Sequence, residues 1–596
     1  MTRGRVTPVT AIGKTGRTCG PLRRAAFSLA LLLAAPGLAA PAFAQAVDLA
    51  PLISPPLPGV VPAPQPKIVP RPPAPAPTAA APIAPGPALH IDAVRVEGVS
   101  VYRPAALAPL YAGVVGATVP KARLDAVVQN LQIKYRTDGY ILSVVRGEVQ
   151  RVNGRTVLVL RAVEGYISEV KLDGDIGPAG SLAYRYLEHL TWLRPLNNAD
   201  LERYLLLVQD IPGVSVRAVL RHVSPLPGAV QLVAELSRKP ISAYFQYDNL
   251  GSQVAGPNEM LASGATNSFT SFGEQLQGLF YDTFSREQIF GQVNASALLG
   301  GEGLKLWGYA GRGNSLPGGA LAQADFNGDY TVGGLGLSYP AVRSRRLNLA
   351  VDGSFDTYDS TIDVTSNAAA AELNESHLRI LRAGETFDFQ DSAVADLAAA
   401  NLVILRVSQG LPGLGASSNN AAFPARPGNR IDFTKVAGEL TRVQNLATFG
   451  PVGTALKLSL AGQYTGDILP PSETFFFGGV RWGRGFYYGQ ITGDRALATT
   501  VELQANTGFT NVPIIAPGRR LDVQFYGFYD FGRAYNLAPG EFDQTLDSIG
   551  LGARSDVTPW LFVELAGVHR LTTQPNGANV SRLADYMLFS RVAIHN

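Results

Sequence analysis

The amino-acid sequence predicts a transmembrane β-barrel of about sixteen antiparallel strands, set behind two small α+β repeats. Three observations carry this prediction. From about residue 240 to the C-terminus, segment after segment alternates apolar and polar residues with period two. Such alternation puts one set of side chains on a lipid-facing wall and the other in a polar interior. After Ala44 the chain never approaches the roughly 18 consecutive apolar residues that a spanning helix needs, so a crossing has to be made by strands. Ahead of them, a strand, helix, helix, strand, strand pattern occurs twice with a period of about 75 residues.

The N-terminus reads as a secretory signal. Arg3, Arg5, Lys14, Arg17, Arg23 and Arg24 precede the apolar run Ala25 to Ala35, and Ala42-Phe43-Ala44 offers a small-x-small cleavage site before Gln45. Residues 1–44 are therefore expected to leave by cleavage between Ala44 and Gln45. Arg23-Arg24 sits in a poor twin-arginine context, and a barrel has to cross the inner membrane unfolded, which favours the general export route. The whole chain is formally +3; six basic and no acidic groups depart with the signal, leaving −3. The basic pI thus belongs to the signal, and nucleic acid is not an expected partner. Cys19, the only cysteine, departs as well, so the mature chain needs no disulfide in an oxidising compartment. With 22 Tyr, 26 Phe and 63 Gly against 16 % charged residues, the composition suits aromatic girdles and Gly-rich turns better than a soluble enzyme.

Residues 45–88 hold 15 prolines among 44 positions. They cannot build a core, and in polyproline geometry they reach on the order of 100 Å as a semi-rigid tether. The repeats are assigned to residues 89–165 and 166–239. Val94-Arg-Val-Glu-Gly98 recurs as Val170-Lys-Leu-Asp-Gly174, Leu124 as Leu201, and Val157–Leu160 as Val230–Val233, at offsets of 76, 77 and 73. Leu124, Val127, Val128 and Leu131 make a helical apolar stripe, which Gly139-Tyr140 is expected to end as a strand begins.

The barrel is assigned to residues 240–596, opening near Ile241. At roughly 22 residues per strand and connection this length holds about sixteen strands, an even number. In Arg345 to Phe355, Leu347, Leu349, Val351 and Phe355 fall on the lipid face, with Asn348, Asp352 and Ser354 opposite. The same rule puts Lys457, Ser459, Glu502 and Gln504 inside. So polar an interior predicts a wet lumen rather than a packed core. The polar stretches Thr365–Ser376 and Gly415–Arg430 read as surface loops.

Two segments stand out. Gly478-Gly-Val-Arg-Trp-Gly-Arg-Gly-Phe-Tyr-Tyr-Gly489 lies in a long turn between strands, and Phe528-Tyr-Asp-Phe-Gly532 lies on a later strand. In Leu521 to Asp530, Leu521, Val523, Phe525, Gly527 and Tyr529 face one way, and Asp522, Gln524 and Asp530 the other. Gly483 and Gly485 let the loop bend sharply, so that Arg484 can reach back to Asp530. Arg481 is a rival for that position. In a wet lumen such a pair contributes only about 1 kcal/mol, so its expected value is positional.

These segments, together with Tyr247-Asp248-Asn249-Leu250-Gly251, Gly139-Tyr140-Ile141 and Val163-Glu164-Gly165, resemble the outer-membrane polypeptide-transport superfamily. Within it, residues 89–596 resemble two-partner secretion transporters of the haemolysin-activator and filamentous-haemagglutinin-transporter type. The resemblance implies that the repeats are periplasmic POTRA domains, with Gly139, Tyr140, Glu164 and Gly165 as their motif, and that the barrel lies in the outer membrane of a Gram-negative bacterium. It implies a pore-loop motif of Gly483, Arg484, Gly485 and Phe486, a wall motif of Phe528, Asp530 and Gly532, and a first-strand signature of Asp248, Asn249 and Gly251. Function then follows as export of a large secreted partner protein, bound by the POTRA domains, without nucleotide hydrolysis. The other partners are outer-membrane lipid and, during biogenesis, the barrel-assembly machinery. The alternative is a factor that inserts other proteins into the membrane, whose members commonly carry more periplasmic repeats. The chain departs from the pattern in Gly483, where an aliphatic residue is common, and in lacking a helix in 45–88 long enough to plug the barrel. It also ends on Asn596 rather than on an aromatic residue; Tyr586 and Phe589 lie upstream in the same strand. No enzyme, metal site or cofactor is expected: the six histidines are scattered, and no nucleophile elbow or phosphate loop is present.

Overall fold

The computed structural model describes residues 88–222, 226–318, 326–366, 369–421, 424–513, 515–577 and 582–596. The expected signal, its expected cleavage site between Ala44 and Gln45 and nearly all of the proline-rich stretch lie outside these residues.

The first repeat comprises β1 (Ala88–Ile91), β2 (Ala93–Glu97), α1 (Pro104–Tyr111), β3 (Ala117–Pro120), α2 (Lys121–Thr137), β4 (Val144–Val152) and β5 (Arg155–Val163). Its sheet runs β2-β5-β4, with β2 parallel to the central strand, while β1 and β3 form a separate pair. Helix α2 buries Leu124, Val127, Leu131 and Tyr135 on one stripe against that sheet. The second repeat comprises β6 (Tyr166–Asp173), α3 (Ala179–Glu188), α4 (Asn198–Gln209), β7 (Val214–His222) and β8 (Ala229–Arg238), with sheet order β6-β8-β7. Val94 pairs with Leu158 and Val170 with Leu232, so the third repeat offset is 74 rather than the expected 73.

Gly139-Tyr140 ends α2, but the strand expected there begins only at Val144. The reason is the helix cap. The Gly139 N–H donates to the Arg136 carbonyl and the Tyr140 N–H to the Tyr135 carbonyl, which folds the chain back over the helix end. Tyr140 then packs on Tyr135, ring centroids 6.1 Å apart. The turn also joins the repeats. Asn198 N donates to the Gly139 carbonyl at 2.8 Å, Asn197 Nδ2 to the Asp138 carbonyl at 2.9 Å, and Leu196 N to the Gly165 carbonyl at 2.9 Å. A Cβ on Gly139, whose φ is +92°, would lie 2.6 Å from Asn197 Oδ1, and one on Gly165 would lie 2.5 Å from Leu142 Cβ. Glu164 takes hydrogen bonds from Ser100 N and Oγ and from Tyr135 Oη, tying the preceding loop and α2 to the same joint. Burial, reinforced by this carboxylate, pushes the Tyr135 hydroxyl well above the usual tyrosine range, so it stays a donor.

The wall opens with β9 (Ile241–Asp248), β10 (Glu259–Asn267), β11 (Gln275–Thr283), β12 (Gln288–Leu299), β13 (Leu304–Ser315) and β14 (Phe326–Arg343). It continues with β15 (Leu347–Ser366), β16 (Ala369–Val394), β17 (Leu397–Gly410), β18 (Thr434–Phe449) and β19 (Val452–Thr465). Two short strands inside the next connection, β20 (Phe475–Phe477) and β21 (Ile491–Gly493), pair with each other and, among the described residues, with no wall strand. The wall then closes with β22 (Arg495–Val512), β23 (Ala516–Tyr535), β24 (Gln544–Thr558), β25 (Leu561–Arg570) and β26 (Tyr586–His595), which pairs with β9. Sixteen antiparallel strands thus form a closed barrel. Leu503, Leu551 and Leu588 are exposed on its outer face, whereas Gln504, Ser548 and Phe589 are buried within it. Phe589 therefore points inward, and of the two upstream aromatics only Tyr586 faces out.

Two expected loops differ. The described residues of Thr365–Ser376 stay in β15 and β16, with Thr361 opposite Glu375 and Thr365 opposite Ala370. Asn374 and Ser376 are buried, so their polarity marks the inner face of the wall, not an end to the pairing. The described residues 415–421 and 424–430 form no strand or helix, but Arg426 and Asn429 are buried.

The second repeat docks on the turns at the near end of the barrel. Arg343 chelates Asp210 at 2.7 and 2.8 Å, and Tyr204 Oη donates to Glu302 at 2.8 Å. Gly139→Val would drive a branched Cβ into Asn197 and cost about 1–3 kcal/mol at the joint. Hydrogen exchange on the full chain should show faster exchange at Leu196 and Asn198, with unchanged heat-modifiable migration of the barrel.

Candidate functional site

The connection between β19 and β22 does not stay outside. It descends from the end opposite the repeats into the lumen and returns, its two legs clasped by β20 and β21. At the tip, Gly478 N donates to the Trp482 carbonyl, Gly479 N to the Phe486 carbonyl, and Phe486 N to the Gly483 carbonyl. Gly483 holds φ +106°, and a Cβ on Gly485 would lie 2.8 Å from Ser548 Cβ on the wall. These glycines press the tip against β24. Arg570 Nε, donating to the Gly485 carbonyl, holds it there.

Arg484 projects from this tip into a cage of wall residues. Its Nε and Nη2 donate to Asp530 Oδ2 and Oδ1 at 3.0 and 2.9 Å, its backbone N–H to Oδ2 at 2.9 Å, and Nη1 to Glu502 Oε2. The Arg484 guanidinium carbon lies 3.6 Å from the centroid of Phe528. Gly532 completes the wall motif by leaving room for Phe477: a Cβ there would lie 2.5 Å from Phe477 Cδ1. Phe486, fully buried, packs with Trp482, Phe477 and Leu546.

The charges continue along the inner wall. Arg554 Nη2 donates to Glu502 Oε1 at 2.7 Å, Tyr526 Oη to Glu564 Oε1 at 2.7 Å, and Arg591 Nη2 to Glu564 Oε2. The ladder thus runs from the loop through β22, β24 and β25 to β26, the last strand. There it meets the first-strand signature. Asn249 Nδ2 donates to the Leu588 carbonyl and Ser590 N to Asn249 Oδ1, so this side chain extends the β9–β26 pairing. Asp248 takes the Leu250 N–H at 3.0 Å, and the Leu250 carbonyl takes the Tyr488 N–H of the loop at 2.9 Å. Gly251 packs where a Cβ would lie 2.6 Å from the Gly256 carbonyl oxygen.

Two expectations are corrected. The Arg484 pair is not an exposed pair in a wet lumen: Arg484 is 6 % and Asp530 0 % exposed, because the loop itself fills the space around them. Breaking such a buried pair leaves uncompensated charge and costs far more than a surface pair. Arg481 is no rival, since it pairs with Glu439 and its side chain is 43 % exposed.

Sequence reasoning put Glu502 inside but gave it no role, and it passed over Arg554, Glu564, Arg591 and Glu473. Glu473 anchors the descending leg, pairing with Arg382 at 2.7 Å and Lys435 at 2.7 Å. The signal for the four wall residues is a charge at an inward position of an otherwise apolar-out strand; Glu473, in the turn Pro471–Glu473 of the loop, carries no such signal.

A family model described as haemolysin secretion/activation protein ShlB/FhaC/HecB matches residues 229–555, and one described as POTRA domain, ShlB-type, matches residues 89–165. The chain is 21 % identical over 462 residues to the heme/hemopexin transporter protein HuxB of Haemophilus influenzae strain 86-028NP, covering 75 % of this chain and 76 % of that protein. The fold is similar to that of CdiB from Escherichia coli, with a TM-score of 0.69 and 17 % identity over 88 % of this chain and 93 % of the other. It is also similar to CdiB from Acinetobacter baumannii, with a TM-score of 0.59 and 16 % identity over 86 % and 91 % of the two chains.

Arg484→Ala strands buried Asp530 and leaves Glu502 to Arg554 alone, and should lower barrel stability by about 3–5 kcal/mol. It should also reduce export sharply. Arg484→Lys should recover only part of either, because an ammonium cannot chelate Asp530 while reaching Glu502. Denaturant-dependent loss of heat-modifiable migration, measured beside secretion, checks both.

Proposed function

We infer how this chain works from the premise that it belongs to the haemolysin secretion/activation family of two-partner secretion transporters. It is an outer-membrane pore with its POTRA domains in the periplasm, and it exports a partner protein. The steps by which it does so are our reading. The observation that carries them is that a loop from the outer side is pinned inside the lumen by Arg484, while the second POTRA domain is docked on the periplasmic turns.

The POTRA domains receive an extended segment of the partner as an added strand. Strands β4 and β7 lie at free edges of their sheets, and each offers nine residues of backbone. The captured segment is handed to the lumen mouth directly above. The Arg484 loop then shifts or leaves room, because it occupies the path. Crossing becomes one-way as the partner folds outside, so neither nucleotide nor a catalytic group is needed. Outward leucines meet outer-membrane lipid, and outward Tyr586 on the last strand is the feature we assign to contact with the barrel-assembly machinery.

The full-length protein should bind the unfolded N-terminal region of its exported partner in the micromolar range, about −8 kcal/mol. Deleting residues 89–165 should abolish that binding and secretion while the barrel still assembles. Unchanged binding by the deletion variant, measured by titration calorimetry, would rule out capture by this domain.

A further inference from the structure

A second buried arginine lies outside the Arg484 cluster. Arg426 belongs to the segment Pro424–Phe433, which joins the wall at β18 on the end opposite the POTRA domains. Its Nη1 and Nη2 chelate Asp494 at 2.7 and 3.1 Å. Nε donates to Glu541 Oε1 at 2.8 Å, Nη1 to the Leu469 carbonyl at 3.2 Å and Nη2 to Asn536 Oδ1 at 3.3 Å. Asp494 is 0 % exposed and also takes the N–H of Leu469 at 2.7 Å and of Leu537 at 2.8 Å. One guanidinium–carboxylate pair thus joins three extracellular connections: the one before β18, both legs of the lumenal loop, and the one between β23 and β24. Arg430 N adds a bond to the Ile468 carbonyl at 2.9 Å.

What this pair holds in place is apolar. Ile431, Phe433 and Leu469 are buried in a cluster with Tyr281, Phe290, Tyr330 and Tyr358. Those four aromatics face inward from β11, β12, β14 and β15, in the half of each strand nearer the outside. Leu378 and Ile380 of β16 belong to the same cluster, so the tied segments sit on a continuous apolar patch of the inner wall from β11 to β16. Nothing in the POTRA domains or the Arg484 cage requires such a contact. A chain that exports protein has to prevent leakage at rest, and an apolar seat at the outer mouth disfavours water and ions there.

We propose that Arg426 and Asp494 form the lock of an extracellular gate, with Ile431, Phe433 and Leu469 as its seal on an inward aromatic collar. The inference rests on the pore reading above. Charge-assisted chelation fixes the closed arrangement, and an emerging partner segment opens it by displacing the seal and exposing the pair to water, where such contacts weaken.

The test is single-channel recording on the full-length protein in planar bilayers. A wild-type protein that conducts, but opens rarely, retains the pore reading independently of the gate. Against that baseline Arg426→Gln should raise open probability by about tenfold or more, from the loss of the chelating bonds. Arg426→Lys should restore part of the closure, which a merely structural defect would not. Phe433→Ala should open the pore with the lock intact. Glu541→Gln, at an exposed partner, should give a smaller rise and serves if Arg426→Gln does not assemble. Heat-modifiable migration verifies the barrel in each case. Assembled Arg426→Gln and Phe433→Ala proteins with wild-type open probability would overturn the gate.

Discussion

The arrangement depends on one buried cation. Arg484 lies where water is largely excluded, and its charge is tolerable only because Asp530 and Glu502 surround it with matched acceptors. That requirement reaches back into the sequence. Asp530 and Glu502 have to fall on inward positions of β23 and β22, Phe528 has to offer its ring, and Gly483 and Gly485 have to let the backbone come close enough. Remove any one and the cation is left short of a partner or out of reach. An apolar loop could fill the same space, but it would have no fixed register against a wall that is polar inside.

Charge pairs also suit a part that has to move. The descending leg is held by Glu473 between Arg382 and Lys435, the tip by Arg484, and the outer ends by Arg426 and Asp494. Each attachment is strong while dry and weakens when water enters, so a segment threading the lumen loosens the loop stepwise without unfolding the wall. The wall is held by backbone pairing that does not involve these groups. The ladder from Glu502 through Arg554 and Glu564 to Arg591 further couples the loop to the strand that closes the barrel on β9.

The fold class was legible because a barrel wall imposes a strict period of two, and the repeats because two copies of one unit carry the same apolar stripe. Local chemistry escaped where a residue's role is set by distant partners. The inward position of Glu502 was visible, yet nothing in its neighbourhood named Arg484 as its partner. Arg426 sits in a stretch whose polarity reads as surface, and only the fold brings Asp494 to it. Gly139-Tyr140 signalled a helix end correctly, but the cap that delays the next strand to Val144 is a three-dimensional contact between Tyr140 and Tyr135. The same limit applies to solvent: polarity inside the wall implied water, and the loop that displaces it could not be weighed from alternation alone.

The most direct test of the central claim is a double-mutant cycle on Arg484 and Asp530, read from the denaturant midpoint at which heat-modifiable migration is lost. If one buried pair positions the loop, Arg484→Ala and Asp530→Ala should each destabilise the barrel, and the double variant should be little worse than either. The coupling should then nearly equal one single loss, about 3–5 kcal/mol. Strictly additive losses, or single variants as stable as the parent, would contradict it.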